Sequence, residues 1–339
     1  MTDLKPVRST ANPSPVRRPG SIRRTTSIDV TWSDGMVGPR DLDGRCRDVV
    51  KLADGSDHLH AEAQMQATIT FDRTITAMAA QPSPAGIVRL VGEKGGGHLR
   101  GALRDLLPDL IADAHPLYLV LDDISGTSLV SNWGWSQWGD NWLERMHATE
   151  GETVDFQAML AERTNVCWGF QPGFSSHDVE TRHSGEVAAD GKDLRNPADP
   201  DGWHAFPEST GVAFRRARRI DVWREEGRVA IEASFQDSAA RKEGGRAALH
   251  EYILRVDVDP QTMVLRSVEP EPRVLPFREC PGAIANARAL AGTPLADIRQ
   301  SVLENLRGPA GCTHLNDALR ALAEAPQLLA VLDEALVAA

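Results

Sequence analysis

The chain has 339 residues, 41% of them hydrophobic, and a formal net charge of −11. That length can bury a sizeable core in one large or two ordinary domains, and the acidic balance argues against a general nucleic-acid binder, which needs a basic field to meet phosphates. No apolar run approaches the roughly 18 residues of a membrane span, and the four cysteines (Cys46, Cys167, Cys280, Cys312) form no CxxC pair and follow no secretory leader, so a reduced, cytoplasmic protein without nucleic-acid or membrane partners is expected.

Residues 1–20 are rich in Pro, Ser, Arg and Thr, lack a period, and read as a flexible basic tail. From 27 to 78 the pattern is strand-like. Ile28, Val30 and Trp32 alternate with polar residues, and Ala61, Ala63, Met65, Ala67 and Ile69 fall on one face of a longer strand. Phe71-Asp72-Arg73-Thr74-Ile75 predicts a hairpin turn. Leu99, Leu103, Leu106, Leu107 and Leu110 recur at helical spacing with Pro108 as a kink or break, and Pro116 suits the start of the next helix. Trp133, Trp135, Trp138 and Trp142 crowd one short segment. Residues 171–212 form a long loop without period, which a compact domain seldom carries without a functional reason. Strands are then expected at about 214–224, 228–236, 248–258 and 262–269, and helices at about 280–291, 295–306 and 313–336.

The chain also contains a repeat. Ile22-Arg23-Arg24-Thr25-Thr26-Ser27-Ile28-Asp29-Val30 returns as Phe214-Arg215-Arg216-Ala217-Arg218-Arg219-Ile220-Asp221-Val222, with Arg, Arg, Ile, Asp and Val identical. Gly44-Arg45 and Gly227-Arg228, His60-Ala61-Glu62 and His250-Glu251-Tyr252, Leu90-Val91-Gly92 and Leu290-Ala291-Gly292, and Leu121-Asp122-Asp123 and Leu315-Asn316-Asp317 follow in the same order. The expected fold is therefore α+β and internally duplicated. Two halves, 21–131 and 213–339, each place helices after an antiparallel meander and pack about a pseudo-twofold axis, with 132–212 inserted between them. The arginines Arg215, Arg216, Arg218 and Arg219 are expected on an exposed strand face, paired with carboxylates.

Several residues could carry chemistry. His60 and His250 sit at matching points of the repeat and are candidate bases, since imidazole titrates near neutrality. Gly311-Cys312-Thr313-His314-Leu315-Asn316-Asp317 puts a thiol, an imidazole and a carboxylate on one first helical turn. The helix dipole there would lower a thiol pKa, and Thr313 is a good N-cap. Asp123 is the carboxylate to keep from its adjacent pair, and Tyr118 is a candidate donor to an oxyanion. Trp133, Trp135, Trp138 and Trp203 could hold a flat ring. His58, His60 and Glu62 alternate along one strand face and could ligate a metal. Gly95-Gly96-Gly97 lacks the Lys-Ser/Thr of a phosphate loop, and there is no GxGxxG or GxSxG, so no cofactor is expected.

Pro19-Gly20-Ser21-Ile22-Arg23-Arg24-Thr25-Thr26 with Ile28-Asp29, Leu121-Asp122-Asp123-Ile124, and Gly311-Cys312-Thr313-His314-Leu315 resemble a bacterial family known as domain of unknown function 2889, over roughly 20–325. The resemblance implies an enzyme of aromatic or steroid catabolism, related to the lyases that remove formaldehyde from lignin-derived phenylcoumarans to leave a stilbene. The expectation is thus a cofactor-independent lyase, a homodimer, acting on a small aromatic substrate between its half-domains. His250 or His60 would act as base, Tyr118 or His314 would polarise the leaving oxygen, Asp123 would support them, and the tryptophans would hold the rings. The alternatives are a non-catalytic binding protein for hydrophobic metabolites and a metal-dependent hydrolase or oxygenase.

Overall fold

The alternating stretches of the chain pair into a single antiparallel sheet in the computed structural model, which describes residues 6–139, 142, 156–178 and 188–339. Its strands are β1 (Ser21–Trp32), β2 (Arg40–Lys51), β3 (Asp57–Ile69), β4 (Ile75–Gln81), β5 (Ala189–Gly191), β6 (Ala213–Glu225), β7 (Arg228–Ala240), β8 (Arg246–Val258) and β9 (Leu265–Val274). The order is β4-β3-β2-β1-β6-β7-β8. The far side of β8 is shared by β5, at Ala247 and Ala248, and β9, from Glu251 onward. Two meanders thus meet where β1 runs antiparallel to β6, with Ile22 opposite Val222 and Val30 opposite Phe214.

The helices are α1 (Leu99–Leu106), α2 (Pro108–Ala112), α3 (Pro116–Val130), α4 (Phe156–Arg163), α5 (Ile284–Arg288), α6 (Ile298–Asn305), α7 (Thr313–Arg320) and α8 (Ala325–Ala338). Helix α3 packs on β1, β2, β3 and β6, whereas α7 packs on β7, β8 and α3. The side chains facing them (Ile22, Ile28, Val30, Met65, Ile69, Phe214, Ile220, Phe235 and Leu254 among others) form one continuous core. The mixed α+β expectation holds. Pro108 and Pro116 each begin a helix, as a residue without an N–H can. The helix expected at 313–336 is instead two, separated by a 3₁₀ turn at Ala321–Glu324, because Pro326 cannot donate into a preceding helix. No helix among the described residues is long and apolar enough to cross a membrane.

Residues 6–20 do not behave as the expected tail; residues 1–5 lie outside the described set. Ser9 N–H donates to the Arg273 carbonyl at 2.7 Å, and the Leu275 N–H donates to Val7 at 3.0 Å. Arg17 chelates Asp199 at 2.7 Å. This segment and residues 188–207 cover the sheet face opposite the helices, so β1 is buried on both sides from Ser21 to Val30.

Gly44 lies mid-strand in β2 and Gly227 in the β6–β7 turn, so this pair does not open equivalent strands. A Cβ at Gly44 would come within 2.5 Å of Val120 Cγ1 and 2.8 Å of Met65 Cε. The glycine is what lets α3 lie close to the sheet. Alanine in place of a strand glycine ordinarily stabilises by about 0.5–1 kcal/mol. Gly44→Ala should instead destabilise, by roughly 1–3 kcal/mol through overpacking, read as a lower urea midpoint; an unchanged midpoint would show that α3 has room to move.

Candidate functional site

The central strands β1 and β6 carry Arg23, Arg24, Arg215, Arg216, Arg218 and Arg219, all buried. The expected carboxylate pairing is present and the expected exposure is not, because both faces of the seam are covered. On the face away from the helices, Arg23 binds both oxygens of Asp221 at 2.6 and 2.9 Å, and Arg215 Nε donates to Asp29 at 2.7 Å. On the helix face, Arg24 is bidentate to Asp48 at 2.8 and 2.6 Å and reaches Glu324 at 2.8 Å. Arg216 is bidentate to Asp237, both bonds at 2.9 Å, with Asp317 at 3.3 Å and Asp123 at 3.8 Å from its third nitrogen.

Register extends this last pair into a site. Arg216 on β6 faces Asp237 on β7, and Asp237 faces His250 on β8, so the three side chains stand in one row across the helix side of the sheet. Asp237 Oδ2 lies 3.1 Å from His250 Nδ1. His314, in the first turn of α7, stacks on His250 with ring centres 3.6 Å apart and planes 19° apart, and its Nε2 is 3.8 Å from Asp237. The Phe235 ring lies 6.2 Å beyond. Burial would push the Asp237 carboxyl up, but Arg216 and His250 outweigh it and hold Asp237 ionised. Burial first, and His250 second, push His314 well below the usual imidazole range, so His314 is neutral. The row is an aspartate-oriented imidazole carrying a second, uncharged imidazole on its face. Aspartate orientation fixes which nitrogen of His250 is free to take a proton.

Supporting groups surround it. Arg218 holds Asp123 at 2.7 Å. Burial raises the Asp317 carboxyl, but Arg320, Arg216, Arg100 and Arg218 together bring it down to about 2. Gly126 of α3 sits against this cluster, since a Cβ there would fall 1.8 Å from Arg216 Nη1.

The sequence candidates therefore separate. His250, His314 and Asp123 converge around Arg216. Tyr118 is buried under the Arg299 guanidinium, 4.9 Å from its ring, and contributes no hydroxyl to the histidine pair. His60 is exposed and occupies the β-bulge where Asp48 pairs with Ala61 and Val49 with Leu59. It stands on the third strand of one meander, five strand positions from His250, so the two cannot act together. His58 and Glu62 are exposed beside it. The tryptophans do not form one pocket. Trp135 meets Trp32 edge-to-face at 5.8 Å, Trp138 donates to the Ala240 carbonyl at 2.8 Å, and Trp133 packs against the core. Trp203 lies on the other sheet face, donating to Ser14 Oγ at 3.0 Å. Cys312, not Thr313, is the N-cap of α7, and His314 stacks on His250. Burial raises the Cys312 thiol in spite of its place at a helix start, and it accepts from Tyr252 Oη at 3.6 Å. Asp237 was not foreseen, because a lone aspartate in a strand carries no signal until register sets it between arginine and histidine. His204 was foreseen only as the neighbour of Trp203. It is bracketed by Thr25 Oγ1 at 2.9 Å and Ser27 Oγ at 2.7 Å, and burial with Arg47, Arg215 and Arg45 nearby brings its pKa down to about 3.

Residues 214–327, about a third of the chain, match a family described as "Protein of unknown function (DUF2889)". The chain is similar to that family over this segment, which contains Arg216, Asp237, His250 and His314. No curated protein and no solved structure matches the chain significantly.

Gly126→Ala would ordinarily add about 1 kcal/mol of helix stability. Here it should lower stability by roughly 1–3 kcal/mol through overpacking against Arg216, measured by urea denaturation; a gain would mean that Arg216 swings aside freely. His204 generates a pH effect whose sign is set by its depressed pKa. Above about 6.5 neither state binds the proton, while below it only the unfolded chain does. Its stabilising contribution is thus complete above about pH 6.5 and falls by about 1.4 kcal/mol per pH unit toward about 3, and His314 acts in the same sense. Between pH 6.5 and 5 the slope of unfolding free energy against pH should be shallower in His204→Asn by about one proton's worth; equal slopes would show that His204 is protonated in the fold.

Proposed function

We propose that the protein is a lyase whose acid–base centre is Asp237–His250–His314, and the observation that carries this is the aspartate-oriented His250 with neutral His314 stacked on it. Arg216 holds Asp237 ionised, and Asp237 accepts from His250 Nδ1, leaving His250 Nε2 as the base. His314 donates as an uncharged imidazole to the oxygen that gains charge, a role a neutral ring performs without first losing a proton. For formaldehyde loss from a phenylcoumaran, His250 takes the proton of the side-chain hydroxyl. Its O–H electrons become the C=O bond of formaldehyde, the released C–C pair becomes the stilbene double bond, and the ring ether leaves as a phenolate that His314 hydrogen-bonds. Proton return from His250 completes a step in which nothing is oxidised. The aromatic substrate class rests on the family resemblance, and Phe235 is the ring nearest the centre.

We propose further that the chain arose by duplication of 21–131 and 213–339. The support is reciprocal. Arg23–Asp221 and Arg215–Asp29 exchange equivalent positions across the β1–β6 seam, and Arg24–Asp48 matches Arg216–Asp237. Gly92 N–H to Ile75 and Gly292 N–H to Leu265, both at 2.8 Å, repeat the same turn. In this alignment the counterpart of His250 is Ala61, because Asp237 pairs with His250 and Asp48 with Ala61. The second copy alone then carries the imidazole.

A second reading is favoured by one observation: Asp237, His250 and His314 each offer one ligand atom within 4.8 Å of the others, a spacing suited to a divalent metal. Arg216 beside the carboxylate opposes it.

The test is a thermal-shift screen of aromatic catabolites, phenylcoumarans and stilbenes included, with formaldehyde and product detection on each stabilising compound. Turnover should fall roughly 10²–10⁴-fold in His250→Ala and in His314→Ala, with binding retained, and should persist in His60→Ala and Tyr118→Phe. Binding without turnover would support a binding protein instead. Stoichiometric metal in protein purified without chelator, lost in His250→Ala, would support the second reading.

A further inference from the structure

Behind the catalytic row, on the sheet face away from the helices, a cavity of about 220 Å³ is lined by Lys192, Arg195, Arg215, Gln236, Ser238 and Arg246, among others. Arg246, half-buried at the cavity, differs from the buried arginines of the seam. Its Nε donates to Ser238 Oγ and its Nη2 to the Ser238 carbonyl, both at 2.9 Å, and no carboxylate bonds it among the described residues. Burial, and then Arg215, bring its pKa down to about 10. The nearest carboxylate influence is Asp29, which already pairs with Arg215 at 2.7 Å. Arg215 is fixed further by the Phe206 ring, 3.9 Å from its guanidinium, and by the Pro207 carbonyl at 3.2 Å. Gln236 gives its amide to Glu251 at 2.7 Å. Among the described residues, Lys192, Arg195, Arg215 and Arg246 are met by Asp193 in the lining, by Asp29 just behind it and by Glu208 near Arg195, which leaves a net positive charge facing the cavity. Every other ionic row described above closes on itself; this one is open toward a cavity.

We propose that this cavity binds the phosphate group of a small ligand. The net positive lining suits an anionic phosphate, and Nη1 of Arg246, without a partner among the described residues, supplies a charge-assisted donor to it. Rigid placement of Arg215 and Arg246 means that little side-chain freedom is lost on binding. The site lies on the opposite sheet face from His250 and stands independently of the lyase reading.

The experiment is calorimetric titration of the full chain at pH 8 and matched ionic strength, with sodium phosphate and, separately, sodium acetate. Saturable one-to-one phosphate binding is expected, weakened at least roughly tenfold in Arg246→Gln, and unchanged in Arg241→Gln, a half-buried arginine paired with Asp190 outside the lining. Lys192→Gln, at an exposed position on the rim, carries the same test with a smaller loss should Arg246→Gln fail to fold. Absence of saturable phosphate binding, equal affinity in the lining variants, or acetate binding as tightly as phosphate would each overturn the assignment.

Discussion

A guanidinium keeps its charge when it is buried, so every arginine placed inside a protein must be met there by carboxylates or carbonyls. The seam between β1 and β6 is built on that requirement. Its arginines point alternately to the two faces of the sheet, and each face supplies its own acids: Asp221, Asp29 and Asp199 on one side, Asp48, Asp237, Asp123, Asp317 and Glu324 on the other. These acids come from both meanders, from α3, α7 and the 3₁₀ turn before α8, and from the loop at 199. Removing one acid would leave a buried charge uncompensated, which is why this array fixes how the layers sit rather than merely decorating them. Arg40 obeys the same rule with neutral acceptors: it donates to the carbonyls of Thr70, Phe71 and Ser128, closing the end of α3 onto the sheet, and burial brings its pKa down to about 10.

The candidate site is a local departure from this scheme. Asp48 answers Arg24 alone on its strand pair, with Ala61 beyond it, whereas Asp237 answers Arg216 and has a lone pair left to meet His250. A single side-chain difference on the third strand of the row thus turns a structural ion pair into an oriented imidazole. Helix α7 then adds His314 over it, and Gly126 of α3 leaves the space that Arg216 needs. On the opposite face Arg246, among the described residues, bonds only Ser238 and no acid, beside a cavity.

Local pattern determined much of this. Alternation along β1 and β3, prolines at the helix starts, the turn at Arg73 (φ 70°) and the paired motifs Leu90-Val91-Gly92 and Leu290-Ala291-Gly292 are all readable without coordinates, since period and backbone preference act over a few residues. The sequence also marked His250, His314 and Asp123 as residues of interest.

What the tertiary structure decided was which of these meet. A one-residue bulge in β3 puts Ala61, and not His60, opposite Asp48, and no composition signal records a bulge. The arginines of β6 look solvent-facing in sequence, yet the helices cover Arg216 and Arg218, and residues 6–20 and 188–207 cover the opposite face through contacts between parts of the chain about 180 residues apart. Asp237 gained its role only from register, and the tryptophans lost theirs because proximity along the chain did not become a shared pocket. A sequence states which faces are apolar and where the backbone turns; long-range pairing of buried charge, which depends on three-dimensional distance, is settled only when the layers close.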